Sequence, residues 1–293
     1  MSNAVAKAKA GSLIRNSKSF QSLFGTVMTG VAGACLVITL IPLFAVLLYV
    51  LLKGAARINL DLFTQLPPTA GQTEGGIASA ILGTIMVVAI STALALPFGV
   101  LAAIFLSEFG TGPMPQWIRF ATNVLSGVPS IIAGVFAYSL IVLTTGSFSV
   151  MAGAIALSVL MLPTIVRTTD EALQIVPQEV RWASVGVGAS NYQTALKVVL
   201  PAALPAILTG VTLAIARAAG ETAPLLFTVI YTNNWPKGPF APTLPSLAYL
   251  IYEFARGFDK VLQEFAWAAS LVLVFLVLLT NIISRWATRQ KTY

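Results

Sequence analysis

The chain contains no histidine and a single cysteine, Cys35. Those two shortages exclude His-based catalytic triads, imidazole metal sites, disulfide frameworks and thiolate zinc clusters. Charge is scarce as well: Asp, Glu, Lys and Arg together make up 9% of the residues, against about 25% in a soluble domain. A soluble globular enzyme is thereby excluded. Glycine is nowhere followed by lysine, so the sequence offers no Gly-rich loop ending in Gly-Lys to cradle a triphosphate. Any ATP that drives this protein is expected to bind a partner, and no cofactor is expected in this chain.

What is present is apolar. Of 293 residues, 57% are hydrophobic and the mean hydropathy is +0.87, which makes lipid the expected solvent for most of the chain. An ionised group at the bilayer centre costs about 2.5–3.5 kcal/mol, so charge-free runs mark the spans. Residues 19–52 and 75–107 hold one span each. The run 120–166 is too long for one, and Thr144-Thr145-Gly146-Ser147 at its middle predicts a helical hairpin. A fifth helix is expected from near Val198 to near Thr232, carrying Arg217 and Glu221, and a sixth over 265–284. The fold class is all-α integral membrane with six transmembrane helices. The first run is too long for the apolar core of a secretory signal and reads as an uncleaved span, with Cys35 expected in packed core.

The net charge of +7 comes from 17 basic and 10 acidic residues, and its distribution sets the orientation. Lys7, Lys9, Arg15, Lys18, Arg119, Arg167, Arg181, Lys197, Arg285, Arg289 and Lys291 fall on one side, against Glu108, Asp170, Glu171 and Glu179. On the other side Lys53, Arg57, Lys237, Arg256 and Lys260 are cancelled by Asp61, Glu74, Glu253, Asp259 and Glu264. The whole excess is therefore expected in the cytoplasm, with both termini, rather than on a nucleic acid. Residues 1–21 read as a cytoplasmic N-terminal segment, 22–286 as the six-helix domain, and 287–293 as a cytoplasmic tail. Loops 53–76 and 233–264 are expected outside. Within the second, Leu247, Leu250, Ile251 and Phe254 recur at helical spacing and predict a short helix at the outer membrane interface, either docking an external partner or serving as a connector.

The cytoplasmic connection 167–197 spells two short helices. Pro177 suits a helix start, Glu179 places acid near its positive end, and Gly186 and Gly188 end it. Ser190-Asn191-Tyr192-Gln193 matches a capping box, in which the serine and glutamine satisfy each other's backbone donors. The expected result is an elbow over 177–197, exposed to the cytoplasm and suited to docking. Within the membrane, Arg217 and Glu221 are four residues apart and share a helix face. Two readings stand: a neutral pair holding helices together, or a pair lining a path, with Arg217 meeting an oxyanion and Glu221 keeping that site shallow. Gly127-Val128-Pro129-Ser130 predicts irregular backbone in the third span, lining a cavity or serving helix packing.

Two stretches resemble known families. Trp182-Ala183-Ser184, Gly188, Val198, Leu200 and Pro201 resemble the EAA loop of type I ABC importer permeases, with Trp182 in the position of the family's glutamate. Arg217-Ala218-Ala219-Gly220-Glu221-Thr222-Ala223-Pro224-Leu225-Leu226-Phe227-Thr228 is similar to the signature of the PstA family of phosphate importer permeases. Gly83-Thr84, Pro97-Phe98-Gly99, Ser126 to Ile131 and Leu162-Pro163 extend the likeness over roughly residues 75–286. The resemblance implies a type I permease fold in the bacterial inner membrane, passing inorganic phosphate from a periplasmic binding protein to the cytoplasm by alternating access. It implies as partners a companion permease PstC, a dimer of the ATPase PstB holding ATP and Mg, and the phosphate-binding protein PstS. Its coupling loop would place Glu179, Trp182, Ala183, Ser184, Gly188 and Ser190 against the ATPase. Arg217, Glu221, Thr222, Pro129 and Ser130 would line the substrate pathway. Physically, a guanidinium reads charge and shape, so a sulfate- or molybdate-like oxyanion is the alternative cargo. An intramembrane hydrolase is a remoter alternative, because the basic residue within a span is an arginine, which cannot act as a base.

Overall fold

The computed structural model describes residues 20–287, so Lys7, Lys9, Arg15, Lys18, Arg289 and Lys291, with most of the expected terminal segments, lie outside the described residues. The chain divides into two compact units, residues 1–52 and 53–293. The first is represented by helix α1 (Phe20–Ala55), which contains Pro42. The hydroxyls of Thr29 and Thr39 donate to carbonyls one turn back, at 2.8 and 3.0 Å, which satisfies them inside an apolar medium. Cys35 is exposed on this helix, not core-packed as expected. The helix is apolar on every side, so its sequence carries no inward stripe to bury the thiol.

The second unit opens with α2 (Leu60–Thr64), capped by the Asn59 side chain. Helix α3 (Ala78–Ile104) continues through a π-helical turn, Phe105–Phe109. Then come α4 (Met114–Ser126) and α5 (Ser130–Ala137), the latter prolonged by a π-helical turn as far as Thr145. After the turn at Gly146 (φ 68°), α6 (Val150–Gln174) starts at the Ser149 cap. The elbow consists of α7 (Gln178–Gly186) and α8 (Asn191–Thr194), followed by α9 (Leu200–Gly220). The outward portion holds α10 (Ala223–Thr228), a parallel two-residue pairing of β1 (Ile230–Tyr231) with β2 (Thr243–Leu244), and α11 (Leu247–Arg256). Helix α12 (Lys260–Ala287) ends the described chain. Among the described residues five helices are long and apolar enough to cross a membrane, and the bent pair α4 and α5, taken as one span, makes six.

Two of the expected boundaries are corrected, and the irregular backbone expected at Gly127 to Ser130 is a sharp break: two helices at 101°, parted at Gly127 to Pro129. Pro129 has no N–H to carry a helical ladder through, and the residue before a proline is steered away from helical backbone. The fifth span stops at Gly220 instead of near Thr232, because the backbone extends at Glu221 (φ −78°, ψ 121°) and Pro224 opens a new short helix. The second elbow helix is not separate from that span: α8 passes through a π-helical turn, Ala195–Val199, directly into α9.

Packing between spans relies on small residues, as expected where lipid is as apolar as leucine and close approach is the main gain. A Cβ on Gly99 of α3 would sit 2.7 Å from the Ile165 side chain of α6, and one on Gly210 of α9 would sit 2.1 Å from Thr168. Around these approaches Ala103, Met161, Ile165, Leu173, Val199, Ile207 and Ala214 form one buried core. At the opposite end, Leu247, Leu250 and Phe254 of α11 are buried with Leu62, Ile77 and Phe265. The periodic apolar face of this helix is thus spent on packing within the protein, not on an outer membrane interface. Long-range polar contacts tie the loop 53–76 to the same end. Arg57 pairs with Glu264 at 2.8 Å and donates to the Thr73 carbonyl at 3.0 Å. The Gly71 and Val261 N–H groups donate to Asp259, holding its carboxyl below the ordinary carboxylate range.

Candidate functional site

Arg217 stands in the last turn of α9 and Glu221 directly follows that helix, with Nε and Oε1 3.5 Å apart. The basic side chain is favourably placed at the negative end of the helix. The pair is loose and accessible: the Arg217 side chain is 47% exposed and that of Glu221 19%. Leu213, Arg217 and Gly220 share one exposed face of α9, while Ala214, Ala218 and Ala219 on the other face are buried. Among the described residues the two charges therefore bridge no pair of helices. An exposed guanidinium on a membrane span must meet water, an anion or another protein, since lipid tails would cost several kcal/mol.

The other residues expected along the pathway stand at the two helix breaks. Thr222 lies in the break after α9 and its hydroxyl donates to the Ala248 carbonyl at 3.2 Å, which anchors that break to α11. Pro129 and Ser130 begin α5 after the sharp bend. Helix α5 presses on α10: a Cβ on Gly134 would stand 2.7 Å from the Pro224 Cα, so only glycine lets the two backbones approach. The structure thus brings the Pro129-Ser130 element against the element that follows Glu221 and Thr222.

The elbow residues form a separate surface. The capping box is present in full, with Ser190 Oγ accepting from the Gln193 N–H at 3.2 Å and Gln193 Oε1 accepting from the Ser190 N–H at 2.9 Å. Gly188 turns the chain at φ 95°, and the Ser184 and Thr194 hydroxyls join α7 to α8 at 2.9 Å. No residue of α7 is buried. Glu179 and Ala183 are exposed, Trp182 is 69% exposed, and Val187 and Tyr192 of the same elbow are exposed as well. This is an apolar knob on a stiff support, which a tryptophan suits as an anchor for a partner's cleft.

Two long-range ion pairs at the elbow end escaped the sequence reading. Arg181 on α7 forks onto Glu108 at 2.8 and 3.2 Å, both side chains nearly buried, and also donates to the carbonyls of Leu173 and Val176. Arg119 on α4 forks onto Asp170 of α6 at 2.8 and 3.1 Å and donates to the Leu106 carbonyl. Their partners lie 73 and 51 positions away along the chain, and spacing offers no signal over such distances. Among the described residues no group of His, Cys, Asp or Glu side chains could hold a metal ion.

The family described as binding-protein-dependent transport system inner membrane component matches residues 95–292. The chain is 37% identical over 266 residues to the phosphate transport system permease protein PstA of Haemophilus influenzae, covering 90% of this chain and 94% of that protein. It is 40% identical over 235 residues to the same-named protein of Xylella fastidiosa, covering 80% of this chain and 81% of that one. Among solved structures, a chain of the inward-facing methionine ABC transporter MetNI superimposes with a TM-score of 0.61 at 21% identity, covering 73% of this chain and 94% of that one. A chain of a bacterial alginate ABC transporter, in complex with a pentasaccharide-bound periplasmic protein, gives 0.57 at 13% identity, covering 95% and 99%. At these identities the structural likeness speaks for the fold alone, a type I importer permease fold spanning the membrane several times.

Proposed function

The chain belongs to the binding-protein-dependent transport inner membrane components and, within them, to the PstA permeases, and from that premise we propose that it is one membrane half of an ATP-driven importer of inorganic phosphate. A companion permease, PstC, completes the path and covers the exposed face of α9. PstS delivers phosphate to the outer side, and a PstB pair, holding ATP and Mg, engages the elbow through Trp182, Ala183 and Glu179. Both termini lie in the cytoplasm of the inner membrane, in keeping with the distribution of basic residues.

The observation that carries this reading is the exposed Arg217–Glu221 pair at the end of a span, 3.5 Å apart and outside the core of this chain. Planar guanidinium donors match the edge of a tetrahedral oxyanion, and the charge cannot be titrated away. Glu221 competes for the same donors and keeps the encounter short-lived, as conduction requires binding weak enough to leave. Arg217→Gln is expected to abolish phosphate uptake in whole cells while the complex still assembles. Normal accumulation by that variant would refute the assigned role. Competition by sulfate in proteoliposomes as effective as phosphate itself would instead identify a broader oxyanion permease.

A further inference from the structure

Resting on the importer reading above, we infer that Arg181 and Arg119 are positioning residues that carry movement of the elbow to the helix breaks beside the Arg217–Glu221 pair. Each arginine holds the cytoplasmic end of α3 against α6 and adds one further helix to the joint. Arg181 brings α7 by gripping Glu108 of the π-helical turn at 2.8 Å together with the carbonyls of Leu173 and Val176 at the end of α6. Arg119 brings α4 by gripping the Leu106 carbonyl of that same turn at 3.1 Å together with Asp170 of α6. Two forked, charge-assisted clamps, one on Glu108 of the turn and one on Asp170 beside it, resist shear far better than single contacts. Glu108 and Asp170 are each only 9% exposed, so a carboxylate that loses its arginine loses the cation that offsets its burial, and Glu108 then keeps the Ser107 hydroxyl at 3.0 Å as a neutral donor.

The joint therefore moves as a unit, and α4 is its lever. The outer end of α4 is the 101° break. Beyond it α5 seats Gly134 on Pro224, in the first turn of α10 and three residues after Glu221. A displacement applied to exposed α7 is thereby delivered to the backbone that positions the carboxylate opposite Arg217. Ion-pair networks and rigid helices in contact are a physical route by which such coupling is carried.

The experiment uses the full complex, assembled with its companion permease and ATPase pair in proteoliposomes and supplied with PstS and inorganic phosphate. Phosphate moved per ATP, and stimulation of ATP hydrolysis by PstS, are measured for Glu108→Gln, Arg181→Gln, the double variant and Arg181→Lys. Glu108→Gln is expected to retain bound ATPase and basal hydrolysis while phosphate moved per ATP falls between about threefold and thirtyfold. The double variant is expected to be no worse than the more damaging single one, because both remove the same contact. Arg181→Lys, which keeps the charge but not the fork, is expected between wild type and Arg181→Gln, and serves as the deciding variant if Glu108→Gln fails to assemble. A wild-type ratio in Glu108→Gln, or losses that multiply in the double variant, would overturn the inference. A wild-type complex that moves no phosphate defeats the importer reading instead, and PstS-stimulated hydrolysis then still reports on the clamps.

Discussion

A guanidinium and a carboxylate one turn apart at the end of a membrane span have opposite duties if the first is to hold an anion and the second is to let it go. The long 3.5 Å separation and the unequal exposure of Arg217 and Glu221 suit that division. Neither group is locked to the other, so an arriving anion can take the guanidinium donors without first breaking a tight fork. Glu221→Gln removes the competitor and leaves the cation unopposed. Import at saturating phosphate is expected to slow by about tenfold, equivalent to about 1.4 kcal/mol, while half-saturation shifts to lower phosphate, the pattern of over-stabilised binding. Initial rates across a phosphate series check this; unchanged turnover with weaker capture would reverse the assignment. The pair was legible in the sequence because two charges interrupt an apolar run at helical spacing. Arg181 and Arg119 were equally visible as charges, yet their partners were not, because only the tertiary fold brings Glu108 and Asp170 to them.

The elbow shows which elements local chemistry dictates. Ser190 and Gln193 close their capping box within four residues, and Gly188 supplies the positive φ that a Cβ would oppose, so this element followed from sequence almost unaltered. The sharpness of the break in the third span and the early end of the fifth did not. A charge-free run reports the surrounding medium but not the direction of the backbone, and Pro97 and Pro163 sit within continuous helices where Pro129 breaks one. What decides is the neighbour that accepts the broken backbone, here α10 against α5. The elbow also separates stability from assembly. Trp182 is 69% exposed, so Trp182→Ala is expected to leave the melting temperature of the isolated chain within measurement error. The same variant is expected to weaken ATPase association by about thirtyfold or more, the loss of a central aromatic anchor worth about 2 kcal/mol. Titration of the detergent-solubilised permease with the ATPase checks it, and unaltered association would move the docking surface elsewhere.

For the molecule as a whole, two polar ends of different construction frame the spans. At the end bearing the elbow, arginines grip carboxylates and carbonyls across four helices while an apolar knob stays uncovered. At the other end, Arg57, Asp259 and the capped helix α2 fasten the loop 53–76 over a buried cluster that includes α11. A surface that must follow a moving ATPase needs an exposed anchor on a rigid joint, whereas a surface that receives a binding protein needs a closed platform. The proposed orientation puts the first in the cytoplasm and the second outside, and chemistry can test it. In a Cys35→Ser background, single cysteines are introduced at Thr73→Cys in the fastened loop and Gln178→Cys at the start of α7, both exposed. A membrane-impermeant maleimide applied to intact cells is expected to label the first and spare the second, which becomes reactive once the membrane is opened. Labelling of Gln178→Cys in intact cells with Thr73→Cys protected would invert the molecule, and an inverted molecule would present its uncovered tryptophan to the side that holds no ATP.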